Sequence, residues 1–344
     1  MNAEQEAAVA AKGEVFVSAG AGTGKTSVLV ERFVRAVCDE GLDVDSVLVI
    51  TYTRKAASEL RSRIRAALRE RGRHDLARKL DAAWISTIHG FCSRLLHTHP
   101  FAVGLDPRFH ELADDQAAVL RGEAFERALA AFCAGRDPER LRLLATYTGN
   151  GLRRMLTGVY ETLRSAGRPL SLELGEQYGV AERLAELRAA AQRLADDPEA
   201  TEKQRATANV ALKLGSNPEQ LVDLSGLEAR GDRADDFRDA RNRLERAALE
   251  ELAARDRDLL QGLLDLFADE YASSKQRESA LDFEDLQLYA RELLLTDERV
   301  RESEQLRFRA IMVDEFQDTN RLQCDIVDVL RAGPVEKDVF FVGD

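Results

Sequence analysis

The run Ala19-Gly20-Ala21-Gly22-Thr23-Gly24-Lys25-Thr26 lies between an apolar stretch, Val15-Phe16-Val17, and a segment with helical periodicity. A strand, a glycine-rich turn and a helix start, in that order, restrict the chain to an α/β layout and form a cradle for a nucleotide's phosphates. Glycines let the main chain approach the phosphates, and successive N–H groups converge on the negative charge. The helix N-terminus adds its partial positive charge. In this reading Gly20, Ala21, Gly22, Thr23, Gly24, Lys25 and Thr26 hold the nucleotide. Lys25 reaches the β- and γ-phosphates and the Thr26 hydroxyl ligates Mg²⁺. The first position departs from the usual pattern, with Ala19 in place of glycine. A glycine-rich turn without a ligand is the plainer alternative.

A second signal follows about 290 residues later, where Ala310-Ile311-Met312-Val313 reads as a buried strand ending in Asp314-Glu315. The C-terminal ends of strands are where open α/β sheets bind ligands. Asp314 is the candidate Mg²⁺ ligand, and Glu315 the candidate base for the water that attacks the γ-phosphate. Taken alone, two solvated acids at a strand end explain the pair equally well.

No run reaches the ~18 apolar residues of a membrane helix. The start, Met1-Asn2-Ala3-Glu4-Gln5, has no basic or apolar signal region. Cys38, Cys92, Cys133 and Cys324 are scattered, with no C-x-x-C pair. This argues against a zinc site or a disulfide framework and fits a reducing, cytoplasmic setting with no membrane partner. The net charge of −12 speaks against a polyanion partner until its distribution is considered. Between Arg54 and Lys79 ten Lys/Arg face three Asp/Glu, a local +7 on a remainder of −19. A basic stripe on an acidic body is compatible with nucleic acid, although from Arg69 to Lys79 a solvated helix face is the better reading.

Strands are expected at Val15–Ser18, Val47–Ile50, Trp84–Ser86, Ala310–Val313 and Val339–Val342. Helices are expected over 26–39, 55–71 and 320–330. Such alternation predicts a parallel sheet covered on both faces. From about Pro100 to Ala280 the chain is rich in Ala, Leu, Arg, Glu and Asp, with Gly/Pro/Asn punctuation, and reads as an all-α insertion. Ala181–Arg257 is polar enough to suggest a mobile hairpin or partial disorder. The expected organisation is an α/β nucleotide-binding domain in two parts, 1–99 and 281–344, around a helical subdomain, 100–280.

With these motifs in order, the chain resembles the UvrD/Rep superfamily 1 DNA helicases, and within them the RecB/AddA-like branch. Asn2-Ala3-Glu4-Gln5 is similar to the family's glutamine motif, and Thr51-Tyr52-Thr53-Arg54-Lys55-Ala56-Ala57 to its single-strand motif. Thr87-Ile88-His89-Gly90-Phe91-Cys92, Leu281-Asp282-Phe283-Glu284-Asp285-Leu286 and Asp314-Glu315-Phe316-Gln317-Asp318-Thr319-Asn320 resemble further family segments. The resemblance implies a RecA-like P-loop NTPase fold, ATP with Mg²⁺, and single-stranded DNA as partner. It also implies a 3′→5′ helicase or translocase of repair and recombination, working with a nuclease or second helicase subunit. Gln5 would contact adenine, and Gln317 would sense the γ-phosphate, completing a catalytic set with Lys25 and Glu315. Tyr52, His89 and Phe91 would touch bases or backbone, and Thr51, Thr53, Thr87 and Arg54 the phosphates. Core packing for Phe91 and a hydrogen-bonded structural role for His89 remain open.

The family motif that begins at Val342-Gly343-Asp344 continues in its members into a second motor domain, so the chain reads as an N-terminal portion that binds ATP without unwinding DNA by itself. A single-strand-binding module that needs a partner to complete the ATP site is the competing reading.

Overall fold

The computed structural model describes residues 1–344 except 21–22 and 174–178. Seven strands occur among the described residues: β1 (Glu14–Ser18), β2 (Val47–Thr51), β3 (Trp84–Thr87), β4 (His110–Glu111), β5 (Ala280–Leu281), β6 (Ala310–Val313) and β7 (Asp338–Gly343). Five form one parallel sheet in the order β1-β7-β6-β2-β3, and β4 pairs with β5. Every expected strand is present to within about one residue.

Strands β7, β6, β2 and β3 are buried on both faces, as expected of a covered parallel sheet, while edge strand β1 is partly exposed, with Phe16 57% exposed. Alternation along each strand divides its side chains between two cores. Leu48, Ile50, Ile311, Val313, Val339 and Phe341 join one core, with residues of helices Ile88–Thr98, Phe283–Thr296 and Arg321–Arg331. Val47, Val49, Ala310, Met312, Phe340 and Val342 join the other, with helices Lys25–Cys38 and Arg54–Glu70. The buried Arg32 ties the first helix, Ala3–Ala10, to this side. Its guanidinium lies over Phe340 at 4.4 Å and donates to the Ala8 carbonyl at 2.8 Å.

Register brings all five strand ends to one edge. Ser18 pairs with Gly343, Val313 with Ile50 and Thr51 with Thr87. The residues after β1, β6 and β7 therefore share one stretch of that edge, and those after β2 and β3 the next.

The chain forms two compact units. One holds Met1–Ala124, Gly158–Pro169 and Tyr271–Asp344; the other holds Phe125–Thr157 and Leu170–Glu270. The segment expected to be all-α, 100–280, is mainly helical among the described residues, but it includes the irregular stretch 212–231 and strand β4, which pairs with β5 at the segment's end, and parts of it belong to the unit of the sheet. In that unit a knot of buried charges fixes the start of helix Phe283–Thr296. Lys275 Nζ bonds Asp282 at 2.8 Å and also Asp285, Arg164 bonds Asp285 at 2.5 Å, and Asp282 and Asp285 form a capping box.

The second unit corrects the expectation for Ala181–Arg257. Helices Val180–Asp196 and Glu202–Ala211, with part of the 44-residue helix Asp235–Glu278, enclose an apolar core that includes Leu184, Leu187, Leu194, Phe237 and Leu244. Much of the remaining core is alanine, including Ala190, Ala191, Ala208, Ala211, Ala247 and Ala248. Small residues pack helices closely while adding little to average hydrophobicity, so composition understated the order.

Candidate nucleotide and DNA sites

The phosphate turn is described from both sides of Ala21 and Gly22, which lie outside the described residues. Ala19 N–H donates to the Gly343 carbonyl at 2.9 Å, extending the β1–β7 pairing into the turn. Thr23 Oγ1 donates to the Gly20 carbonyl at 2.7 Å. Gly24 has φ +93°, a left-handed conformation that glycine adopts without strain. A Cβ there would also meet Gln5 Nε2 at 2.8 Å. Lys25 and Thr26 open helix Lys25–Cys38.

Gln5 lies against this turn. Its Oε1 accepts from Asn2 N–H at 2.9 Å and its Nε2 donates to the Thr23 carbonyl at 2.8 Å. A primary amide has two hydrogens and two lone pairs. One donor and one acceptor therefore remain for a base edge.

Lys25, Glu315, Gln317 and Asp344 close a hydrogen-bonded ring. Lys25 Nζ lies 3.3 Å from Glu315 Oε2 and 2.5 Å from Asp344 Oδ1. Gln317 Nε2 donates to the same Glu315 oxygen at 2.6 Å, and its Oε1 accepts from Asp344 N–H at 3.1 Å. The bond to Asp344 is the main influence raising the Lys25 pKa, with Glu315 adding to it. The ammonium is therefore fully charged at neutral pH. Glu315 has φ +52°, uncommon for a residue with a side chain, and such outliers concentrate at functional sites. Gly343, read from the sequence only as part of the motif Val342-Gly343-Asp344, has a steric role as well, since a Cβ there would meet Gln317 Oε1 at 2.8 Å.

Asp314 follows β6 and accepts from Glu315 N–H at 3.1 Å. Burial, then the neighbouring Glu315 charge, raises its pKa. A cation beside the pair would relieve both effects. The Thr26 hydroxyl and the Asp314 carboxylate are hard oxygens of the kind Mg²⁺ takes. No group of three His, Cys, Asp or Glu that could hold a metal occurs among the described residues. Mg²⁺ needs few protein ligands, because it keeps waters and substrate phosphates in its shell.

The stretch after β2 and β3 differs. Tyr52 is 65% exposed. Thr53 caps helix Arg54–Glu70, accepting from Ala56 N–H at 3.0 Å, and Arg54 pairs with Glu111 at 2.9 Å. His89 is half-buried, with its ring against Phe283 at 4.8 Å and Nε2 3.0 Å from Gln287. Burial is the main cause of its lowered pKa.

Three expectations for DNA contact are corrected. Phe91 is fully buried and packs on Trp84 at 5.6 Å and Phe308 at 6.0 Å, so its ring has no face for a base. Thr51 is buried with its hydroxyl on the Thr53 carbonyl at 3.2 Å. Thr87 is buried and caps helix Ile88–Thr98, accepting from Gly90 N–H at 3.2 Å. Both hydroxyls are engaged in strand–helix turns. The basic stripe is also largely neutralised within the fold. Arg63 pairs with Glu59, Arg65 with Asp81, Arg71 with Glu31 and Asp39, and Arg73 with Asp75.

All four cysteines are free, and among the described residues no helix is long and apolar enough to cross a membrane.

An ATP-dependent helicase/nuclease subunit of Acetivibrio thermocellus is 26% identical over 96% of this chain and 33% of that protein. The protein of the same name from Lactobacillus delbrueckii subsp. bulgaricus is 28% identical over 99% of this chain and 35% of its own length. That from Pelotomaculum thermopropionicum is 39% identical over a shorter stretch, 48% of this chain and 14% of that protein. The chain thus spans about a third of the length of the first two relatives. The UvrD/REP helicase N-terminal domain model matches residues 1–344, and the chain belongs to that family.

Proposed function

We propose that this chain carries the nucleotide-binding motor part of an ATP-dependent DNA helicase or translocase. The activity is proposed for a protein of the relatives' length. It acts 3′→5′ on single-stranded DNA in repair and recombination, in the cytoplasm, beside a partner nuclease or helicase subunit. The relatives are named as subunits of a helicase/nuclease, which supports the partner.

The single observation that carries the reading is the ring of Lys25, Glu315, Gln317 and Asp344 beside a phosphate turn. A bound γ-phosphate takes the place of the carboxylates on Lys25 Nζ. That frees Glu315 to accept a proton from the attacking water and lets Gln317 register the change through Asp344. Thr26 and Asp314 would hold Mg²⁺, which neutralises phosphate charge when bound. Gln5 would read adenine with its spare donor and acceptor. Arg54, Tyr52, Thr53 and His89 form the single-strand contact on the neighbouring stretch of edge.

The test is ATP hydrolysis by the purified chain, with and without an oligonucleotide, for wild type and Glu315→Gln. Loss of a general base lowers the rate by about 10²–10⁴-fold. Nucleotide affinity in the variant should be retained. Equal hydrolysis by both proteins would remove Glu315 from the chemistry.

A further inference from the structure

His89 and Gln287 lie far apart in sequence, yet their side-chain nitrogens meet at 3.0 Å. Gln287 is buried on helix Phe283–Thr296, and its Nε2 also donates to the Phe283 carbonyl at 3.2 Å. Turning the amide over would set its oxygen against that carbonyl oxygen, acceptor against acceptor. The NH₂ end therefore faces both partners. An amide NH₂ only donates, so His89 Nε2 must accept, and the ring's proton then resides on Nδ1.

We propose that Gln287 is a positioning residue that holds His89 as the neutral Nδ1–H tautomer, making it a hydrogen-bond donor rather than a cation toward an acceptor oxygen of single-stranded DNA. This rests on the reading of His89 as a DNA contact.

Three further features point the same way. Among the described residues the only hydrogen bond of the ring is at Nε2, and the side chain is half-buried rather than buried, so Nδ1–H is not committed to the fold. Phe283, one turn before Gln287 on the same helix, also packs against the ring, and that helix is fixed at its start by the Lys275–Asp282–Asp285–Arg164 knot. Gln287 Oε1 is buried with no partner, a cost that an apolar residue would avoid. An arrangement that gives up that bond while directing the amide nitrogen at an imidazole serves the imidazole. Protonating His89 would set Nε2–H against the amide hydrogens, so Gln287 opposes the cation. Burial and Arg54 act in the same direction, whereas Glu111 and Asp114 favour the cation.

The test is long-range ¹H–¹⁵N NMR of the full chain labelled in histidine, with His89 assigned by the signal lost in His89→Gln. Wild type should show protonated Nδ1 and unprotonated Nε2 at neutral pH. Gln287→Leu should shift the tautomer balance toward Nε2–H and raise the titration midpoint. Gln287→Glu, which can accept from Nε2–H, should raise it further. Affinity for an oligothymidylate should fall by about threefold to tenfold in Gln287→Leu, the size of one modest hydrogen bond. A wild-type Nε2–H tautomer, or an unaltered tautomer and midpoint in Gln287→Leu, overturns the role of Gln287 whatever the DNA result. Unchanged oligonucleotide affinity in His89→Gln overturns the DNA reading of His89, whatever the tautomer.

Discussion

Two neighbouring stretches of one sheet edge are built on opposite principles. After β1, β6 and β7, partly exposed charged and polar groups bond to one another in a ring. After β2 and β3, most motif side chains are committed to caps and core, whereas Tyr52, Thr53 and Arg54 are exposed and His89 is half-buried. A motif can therefore supply a contact or supply the turn that presents one, and burial distinguishes the two roles.

The sharpest way to break the contrast is to substitute one residue from each stretch. Glu315→Gln should lower ATP turnover by about 10²–10⁴-fold without unfolding the chain, because it acts on chemistry alone. Phe91→Ala should do the reverse. Emptying a fully buried aromatic site costs about 3–5 kcal/mol, read from urea unfolding. A Phe91→Ala chain of wild-type stability would contradict its place in the core.

Tyr52 refines the DNA side. Tyr52→Ala should leave stability within about 0.5 kcal/mol, yet weaken oligonucleotide binding by about 1–3 kcal/mol, the range for base stacking on an aromatic. Thr53→Ala is the smaller counterpart, costing about 1 kcal/mol of stability through the lost helix cap. An effect on DNA without one on stability would make Thr53 a phosphate contact and blur the comparison.

The smallest effect is on pH dependence. His89 binds its proton less readily folded than unfolded. As pH falls below the unfolded value of about 6.5, the unfolded chain takes up the proton first. Stability is then lost until the lower folded pKa is reached. His89→Gln should flatten that part of the stability–pH curve. A curve that keeps its slope would place the titration elsewhere.

The sheet was legible because its signals are local. Each strand is a short apolar run with a turn signal after it, and Gly20 to Thr26 carry their chemistry in the main chain. The ring became readable once strand order brought the ends of β1, β6 and β7 together. Phe91 and Tyr52 were not separable in sequence, since both are aromatics in a motif near a helix start and only the neighbours Trp84 and Phe308 make one of them core. Gln287 was invisible for the same reason, because its partner is set by packing across the fold. The alanine-rich second unit has a polar composition because its core rests on close helix contact more than on large side chains.

The central claim is that Lys25 exchanges its two carboxylates for a triphosphate. Calorimetric titration of the chain with a non-hydrolysable ATP analogue and Mg²⁺, for wild type and Lys25→Ala, tests it most directly. Charge-assisted hydrogen bonds contribute about 1.5–3 kcal/mol, so affinity should fall by about 10–100-fold. Equal affinity in the two proteins would mean that Lys25 does not hold the phosphates.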